Sequence, residues 1–374
     1  MRKLLLALLV IAAIPGVLFL IWDTQTRGLA NALAADLTEA KSRVINRDPP
    51  PKVPLHENGY QCLGAMLDVT PKDFGPFSQK NLASLDPFIT GAKPISELSP
   101  EVRAGMVSLS PWASSMRSCG DSHQLAWVEG LSPWTPANNL RWVRLTDTMP
   151  SLIEFTALEL RVLIADQQPE VALERCGATW AMVADQSHLG QVGAMNARMA
   201  VRRLAPACGE ALTAASAEAK AQIAKQWAPL RNRLASAKEL IEAERLGNSL
   251  RTFAWVADDA ARAQLPGVVV PGMTSFSSKL RTGRTWRHWD QAMRELAVAQ
   301  GAERAAAADR VDAIAPSQYG KFVSAYEEAF VLLDVMADLA AGGSKPLPPG
   351  VTKKDKVLEY VSPQAQTLLI PTEK

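Results

Sequence analysis

The side chains best suited to chemistry are few and scattered. Four histidines, His56, His123, His188 and His288, stand far apart in a chain of 374 residues. None belongs to an HExxH pattern, in which two imidazoles share a helix face and bind zinc, and there is no GxSxG, SxxK or phosphate-cradling P-loop. A histidine-based active site would have to be assembled in three dimensions from distant segments. The adjacent acids Asp258-Asp259 and Glu327-Glu328 do not form an acid–base pair, because helix neighbours point in different directions. All four are expected to be solvated. The sequence therefore favours a non-catalytic role with no cofactor and no metal site, and leaves open an enzyme with an unrecognised site.

Two clusters offer more as binding surfaces. Residues 108–142 carry two Ser-Pro-Trp triplets, Ser110-Pro111-Trp112 and Ser132-Pro133-Trp134, interspersed with Cys119, Asp121, His123, Trp127, Glu129 and Trp142. Acid, base and aromatic groups in one stretch suit either a cleft for a sugar-like ligand or a Trp-filled core braced by a disulfide. Further on, Lys279, Arg281, Arg284, Arg287 and His288 alternate with Trp286 and Trp289. The two tryptophans, three apart, share a helix face. Arginines there could grip a phosphate or a glycan acid with paired N–H donors, so Arg281, Arg284, Trp286, Arg287 and Trp289 are candidate contacts for an anionic lipid or glycan. The bland alternative is a solvated basic loop leading into a buried helix start.

Four cysteines complete the reactive inventory: Cys62, Cys119, Cys176 and Cys208. No C-x-x-C occurs, which removes thioredoxin-like and zinc-ribbon roles. An even number in an oxidising compartment favours disulfides over four small buried hydrophobes. Of the three connectivities, pairing of neighbours is expected, 62–119 and 176–208. The second pair is favoured because both cysteines fall near the far end of one helical hairpin.

The elements that must position these groups begin with an N-terminal span. After Arg2 and Lys3, residues 4–22 run without a charge and end at Trp22. Nineteen residues at a rise of 1.5 Å cover about 28 Å, close to the hydrocarbon thickness of a bilayer. The positive flank predicts a cytoplasmic N-terminus and an exported remainder, which for a bacterium means a single-pass inner-membrane protein with a periplasmic domain. A cleaved signal peptide is the rival reading, since small-residue sites occur at Ala30-Asn31-Ala32 and Ala32-Leu33-Ala34. Residues 23–46 continue as a juxtamembrane helix, with Leu29, Leu33, Leu37 and Val44 on one face. The prolines at 49–51 and 54 then make 47–55 a stiff spacer.

From residue 56 to 341 the pattern predicts an all-α domain of helical hairpins, an irregular bundle or solenoid-like array, with a subdivision near 146. The expected helices are 57–69, 97–117 with Ser96 as its N-cap, 147–167, 169–187, 191–203, an Ala-rich run over 209–261 broken at Pro229, 286–313 and 317–341. Residues 70–94 and 265–284 read as loops. The last helix is amphipathic, with Phe322, Tyr326, Ala329, Leu333 and Met336 on the core side. Residues 342–374 form a Pro-rich tail in which 357–361 and 367–370 could be short strands.

The anchor, the segments ENGYQCLGAML, ERCGATWAMVADQSHLGQVGAM and LAPACGEAL, and then AERLGNSLRTFAW together resemble uncharacterised bacterial signal-anchored, all-helical exported proteins, over much of residues 55–260. The resemblance implies a tethered helical domain and no particular activity. Basic and acidic residues number 40 and 38, a formal net of +2, which excludes a dedicated nucleic-acid binder. The expectation is thus an anchored extracytoplasmic scaffold or protein-interaction module, with a lipid- or glycan-binding module and an envelope-acting enzyme as alternatives.

Overall fold

The computed structural model describes residues 13–25, 27–28, 31, 35, 62, 65–66, 69–121, 136–242, 244–245, 276–314, 318–362 and 366–373. Most of the described chain is helical. The Pro-rich spacer at 47–55 and the acids Asp258-Asp259 lie outside the described residues, as do His56 and His123.

Residues 13–25 are helical, and Ile14, Val17, Leu18, Phe19, Leu20 and Ile21 on this segment are 48–63% exposed. Six large apolar side chains at these positions cover the whole circumference of the helix. Among the described residues no helix is long and apolar enough to cross a membrane, and positions 4–12 of the expected span are outside them.

Helix α1 (Pro100–Ser118) starts where Pro100 supplies a preset φ and the Ser99 hydroxyl accepts from the Val102 amide at 3.2 Å. The cap expected at Ser96 is thereby moved three residues, and Ser96 lies in the 3₁₀ turn Ile95–Glu97. Helix α2 (Pro136–Ala165) begins eleven residues before the expected start and runs through Pro150. Helix α3 (Pro169–Gln186) opens on its proline as expected. Helix α4 (Gln191–Ala214) passes through Pro206 where an end near 203 was expected. A helix interior tolerates the lost donor when packing on its flanks offsets it, and α4 is packed against α2, α3 and α8.

Helix α5 (Ala217–Trp227) is capped by Ser216, and a break falls at Ala228-Pro229. Helices α6 (Phe276–Val298) and α7 (Gly301–Ile314) divide what reads in sequence as one element. Because α6 begins at Phe276, the basic cluster sits on a helix and not in a loop. Helix α8 (Tyr319–Ala340) buries Tyr326, Ala329, Leu333 and Met336 as the periodicity predicts. Its first amides, Gly320 and Lys321, donate to the Asp312 carboxylate at 2.8 and 3.0 Å, so α7 caps α8.

The C-terminal tail departs most from an all-α reading. Strands β1 (Val351–Lys354), β2 (Val357–Val361) and β3 (Thr367–Pro371) form an antiparallel meander in the order β1-β2-β3. Val351 faces Tyr360 and Leu358 faces Ile370 across the ladder, and these four make the buried face. That face lies on α4 at Gly209, where an added Cβ would come within 2.7 Å of Ile370 Cγ2. Only glycine lets the strand approach the helix backbone this closely.

Helix α4 is central, packed against α2, α3, α8 and β3, with Ala194, Ala197, Ala200, Ala205 and Ala211 fully buried along it. Small side chains there bring the helix axes together. Disulfides join Cys62 to Cys119 and Cys176 to Cys208, with Cα separations of 5.4 and 6.2 Å, so both expected pairings are present. The second staples α3 to α4.

Candidate functional site

The sequence-level candidates separate once placed. In the Trp-rich stretch, Trp112 is buried in α1 with Phe74 edge-on at 5.1 Å, and Cys119 is in a disulfide. Residues 122–135 are outside the described residues. His188 is half-buried, with Nε2 at 2.9 Å from the Arg233 carbonyl. The same Arg233 donates from Nη2 to Asp185 Oδ2 at 2.6 Å and from Nη1 to the Gly120 carbonyl at 2.8 Å. This is a clasp between α3, the turn after α5 and the end of α1. Burial pushes the Asp185 carboxyl up to about 6 against the pull of Arg233.

In the basic cluster of α6, Trp286 and Trp289 are 5% and 4% exposed. The expectation that either packs against a bound ligand is corrected: Trp289 belongs to the core with Met293, Leu296 and Val311. Arg284, Arg287 and His288 are exposed on the opposite face, and the Arg281 side chain is outside the described residues. A Cβ on Gly28 would lie 3.8 Å from Arg287 Nη2, which places the chain just after the apolar 13–25 segment beside the basic face.

The feature with the geometry of a site was not among the sequence candidates. Between α4 and α8 lies a cavity of about 580 Å³, within the usual range for small-molecule sites. Arg198, Arg202, Arg203 and Lys321 line it, together with the amides Gln191, Asn196, Gln318 and Gln366. Met195, Met199, Phe322, Ala325 and Pro150 form its apolar wall. Met195, Gln318, Lys321 and Gln366 are exposed and mark the mouth.

The helical spacing builds this wall. On α4, positions 191, 195, 198, 199 and 202 share one face, and on α8, positions 321, 322 and 325 do the same, with Gln318 just before the helix. Behind the cations stands Glu328, whose side chain is fully buried. It accepts from Arg198 Nε and Nη2 at 2.8 and 2.7 Å and from Arg202 Nη1. The expectation that Glu328 is solvated is therefore overturned. Its place in the apolar stripe of α8, between Ala325 and Leu332, carries it into the core, where two arginines compensate the charge.

Arg203 donates to Glu154 at 3.0 and 2.9 Å and to Asp86 at 2.6 Å. Burial raises the Glu154 carboxyl pKa against the opposing pull of Arg203. For Arg203, burial works against the charged form and is outweighed by Glu154 and Asp86, so its pKa rises. Burial, with Glu328 nearby, pushes the Tyr360 phenol up to about 12, against Arg202 and Arg198. Glu328 thus stands behind Arg198 and Arg202, while Glu154 and Asp86 pair with Arg203. No acid, histidine, cysteine or serine is among the lining residues. The arrangement can hold an anion.

The signal for this site was present but divided. Glu328 in an apolar stripe is a buried-charge flag, and Arg198, Arg202 and Glu328 are far apart in sequence. No protein-family model matches the chain, and no curated protein or solved structure is significantly similar to it. The site's geometry therefore carries the functional reading by itself.

Proposed function

We propose that this chain is a membrane-tethered, extracytoplasmic helical module that works by binding a small ligand in the α4–α8 cavity. The observation that carries the reading is the cavity wall, with four cations, four amides and an apolar side. The tether is supported by the uncharged 4–22 segment and by the exposed apolar surface of residues 13–25, which water disfavours. Export is supported by two disulfides, which persist in oxidising compartments. This reading takes up the ligand-binding alternative to the scaffold role expected from sequence.

Alkaline phosphatase fused after Lys374 should be active and membrane-bound, and an inactive or soluble fusion overturns the topology. Native mass spectrometry of the full chain purified from membranes should show a bound small molecule. Met199→Trp, which fills the cavity, and Lys321→Glu, at an exposed site, should both lose it. Identical spectra for all three proteins overturn the binding reading.

A second reading rests on Arg287 beside Gly28. Next to a membrane helix, Arg284 and Arg287 would lie against anionic lipid headgroups. Arg284→Ala with Arg287→Ala should then weaken binding to anionic liposomes, most visibly at low salt; unchanged binding removes it.

A further inference from the structure

Among the described residues, three that are not glycine hold a left-handed backbone: Gln167, Gln318 and Asp355, with φ of 58°, 51° and 47°. This conformation crowds Cβ against the backbone and is disfavoured for most side chains. In two of the three the turn demands it. Gln167 follows the end of α2, where its amide donates to the Ile164 carbonyl at 3.1 Å and the Gln168 amide donates to the Leu163 carbonyl at 2.8 Å. That pair of bonds closes a helix through a left-handed residue. Asp355 opens the two-residue turn between β1 and β2, where Lys354 pairs with Val357. A positive φ there matches the twist of the strands.

Gln318 has no such cause. It stands in the cap position before α8, where extended backbone is usual. Ser99 before α1 and Ser216 before α5 follow that rule, with ψ of 150° and 156°. Gln318 has a ψ of 29°, and its side chain makes no capping hydrogen bond. Asp312 of α7 caps the helix instead, through the Gly320 and Lys321 amides. The Gln318 carbonyl accepts from the Phe322 amide at 2.9 Å, which a glycine carbonyl would do equally well. Glycine would also hold this backbone without strain. What glutamine adds is a carboxamide, on a residue that lines the α4–α8 cavity and is exposed at its mouth.

We infer, resting on the binding reading above, that Gln318 is a ligand-contacting residue: its carboxamide N–H donates to an anionic oxygen of the molecule bound in the α4–α8 cavity. Backbone strain collects at binding sites because the surroundings impose it where a side chain is needed. An anion is the partner that the other polar lining residues favour, since Arg198, Arg202, Arg203 and Lys321 carry positive charge.

The test uses the full chain in a neutral detergent, with inorganic phosphate as the probe in isothermal titration calorimetry. Met199→Trp, which fills the cavity, should abolish phosphate binding and so report that the cavity holds it. Gln318→Gly and Gln318→Ala should each weaken binding about tenfold, the effect of one hydrogen bond to a charged group. Gln318→Gly should at the same time leave the melting temperature at or above that of the unchanged chain, because glycine relieves the backbone. Full phosphate affinity in both Gln318 variants, with binding lost in Met199→Trp, overturns the contact and leaves the binding reading standing. A lower melting temperature for Gln318→Gly overturns the strain and makes the residue a structural one. If the unchanged chain ignores phosphate while holding a co-purified molecule by native mass spectrometry, the anionic partner is rejected and the binding reading survives. If it holds neither, both fall.

Discussion

Two apolar cores of different construction share helix α8. The larger gathers α1 to α5, the second half of α8 and the buried face of the sheet, and both disulfides fall within it. The smaller gathers Ile241 with Trp289, Met293, Leu296, Val311, Tyr319 and Val323, the last six from α6, α7 and the first half of α8, and no disulfide bond enters it. Ion pairs surround the smaller one instead: Arg245 and Arg294 on Asp290 at 3.1 and 2.9 Å, and Arg304 on Glu327 at 2.7 Å. Phe322 packs against both cores, and Phe322 lines the cavity. The α4–α8 cavity is thus set at a junction between a region cross-linked by both disulfides and one held by packing and ion pairs.

Breaking the larger core should have the greatest effect. Cys176→Ser with Cys208→Ser removes a link between residues 32 apart, a loss of about 4 kcal/mol in the loop-entropy view. Chemical denaturation should show it, and hydrogen exchange should place the loosening in α3 and α4 while α6 and α7 keep their protection.

The smaller core is tested by Trp289→Ala. With the side chain 4% exposed, the expected cost is about 3–5 kcal/mol, with exchange rising in α6 and α7 first. Equal loosening in α3 would show that the two cores unfold as one unit.

Glu328→Ala strikes the shared helix. Removing the carboxylate takes the shared acceptor from Arg198 and Arg202, at about 3 kcal/mol for a buried pair losing one partner. Glu328→Gln should recover part of this by keeping acceptor geometry, measured by the same denaturation curves.

A smaller effect is expected from pH. The Asp185 carboxyl is raised to about 6 in the fold, above its unfolded value of about 3.8. The folded chain therefore takes up this proton first as pH falls. Its contribution is present below about pH 4 and lost as pH rises towards 6, at most about 3 kcal/mol. Asp185→Asn should flatten that part of the stability profile.

The smallest effect belongs to Arg284→Ala with Arg287→Ala. Both side chains are exposed, so the melting temperature should hold to within about 0.5 kcal/mol of stability. A larger loss would mean that α6 uses these arginines in folding.

Local rules were enough for much of the fold. Proline at 169 marks a helix start because backbone geometry acts over a few residues. The apolar stripe of α8 and the strand at 357–361 follow from period and composition, and neighbouring cysteines paired as expected. The helices that cross Pro150 and Pro206 were not legible, because their continuation depends on packing that no short window contains.

What the sequence determined by itself is what depends on residues near one another along the chain: helical character, the uncharged N-terminal segment and the break at Pro229. What only the tertiary structure decided depends on residues far apart. Burial of Trp289 requires α6 and α7 to pack together, docking of the sheet requires β3 to reach α4 at Gly209, and the meeting of Arg198 and Arg202 with Glu328, 126 positions beyond Arg202, requires α4 and α8 to lie side by side. A charge next to its neighbours in sequence reads as solvated; only the fold shows that water has been replaced by two guanidinium groups.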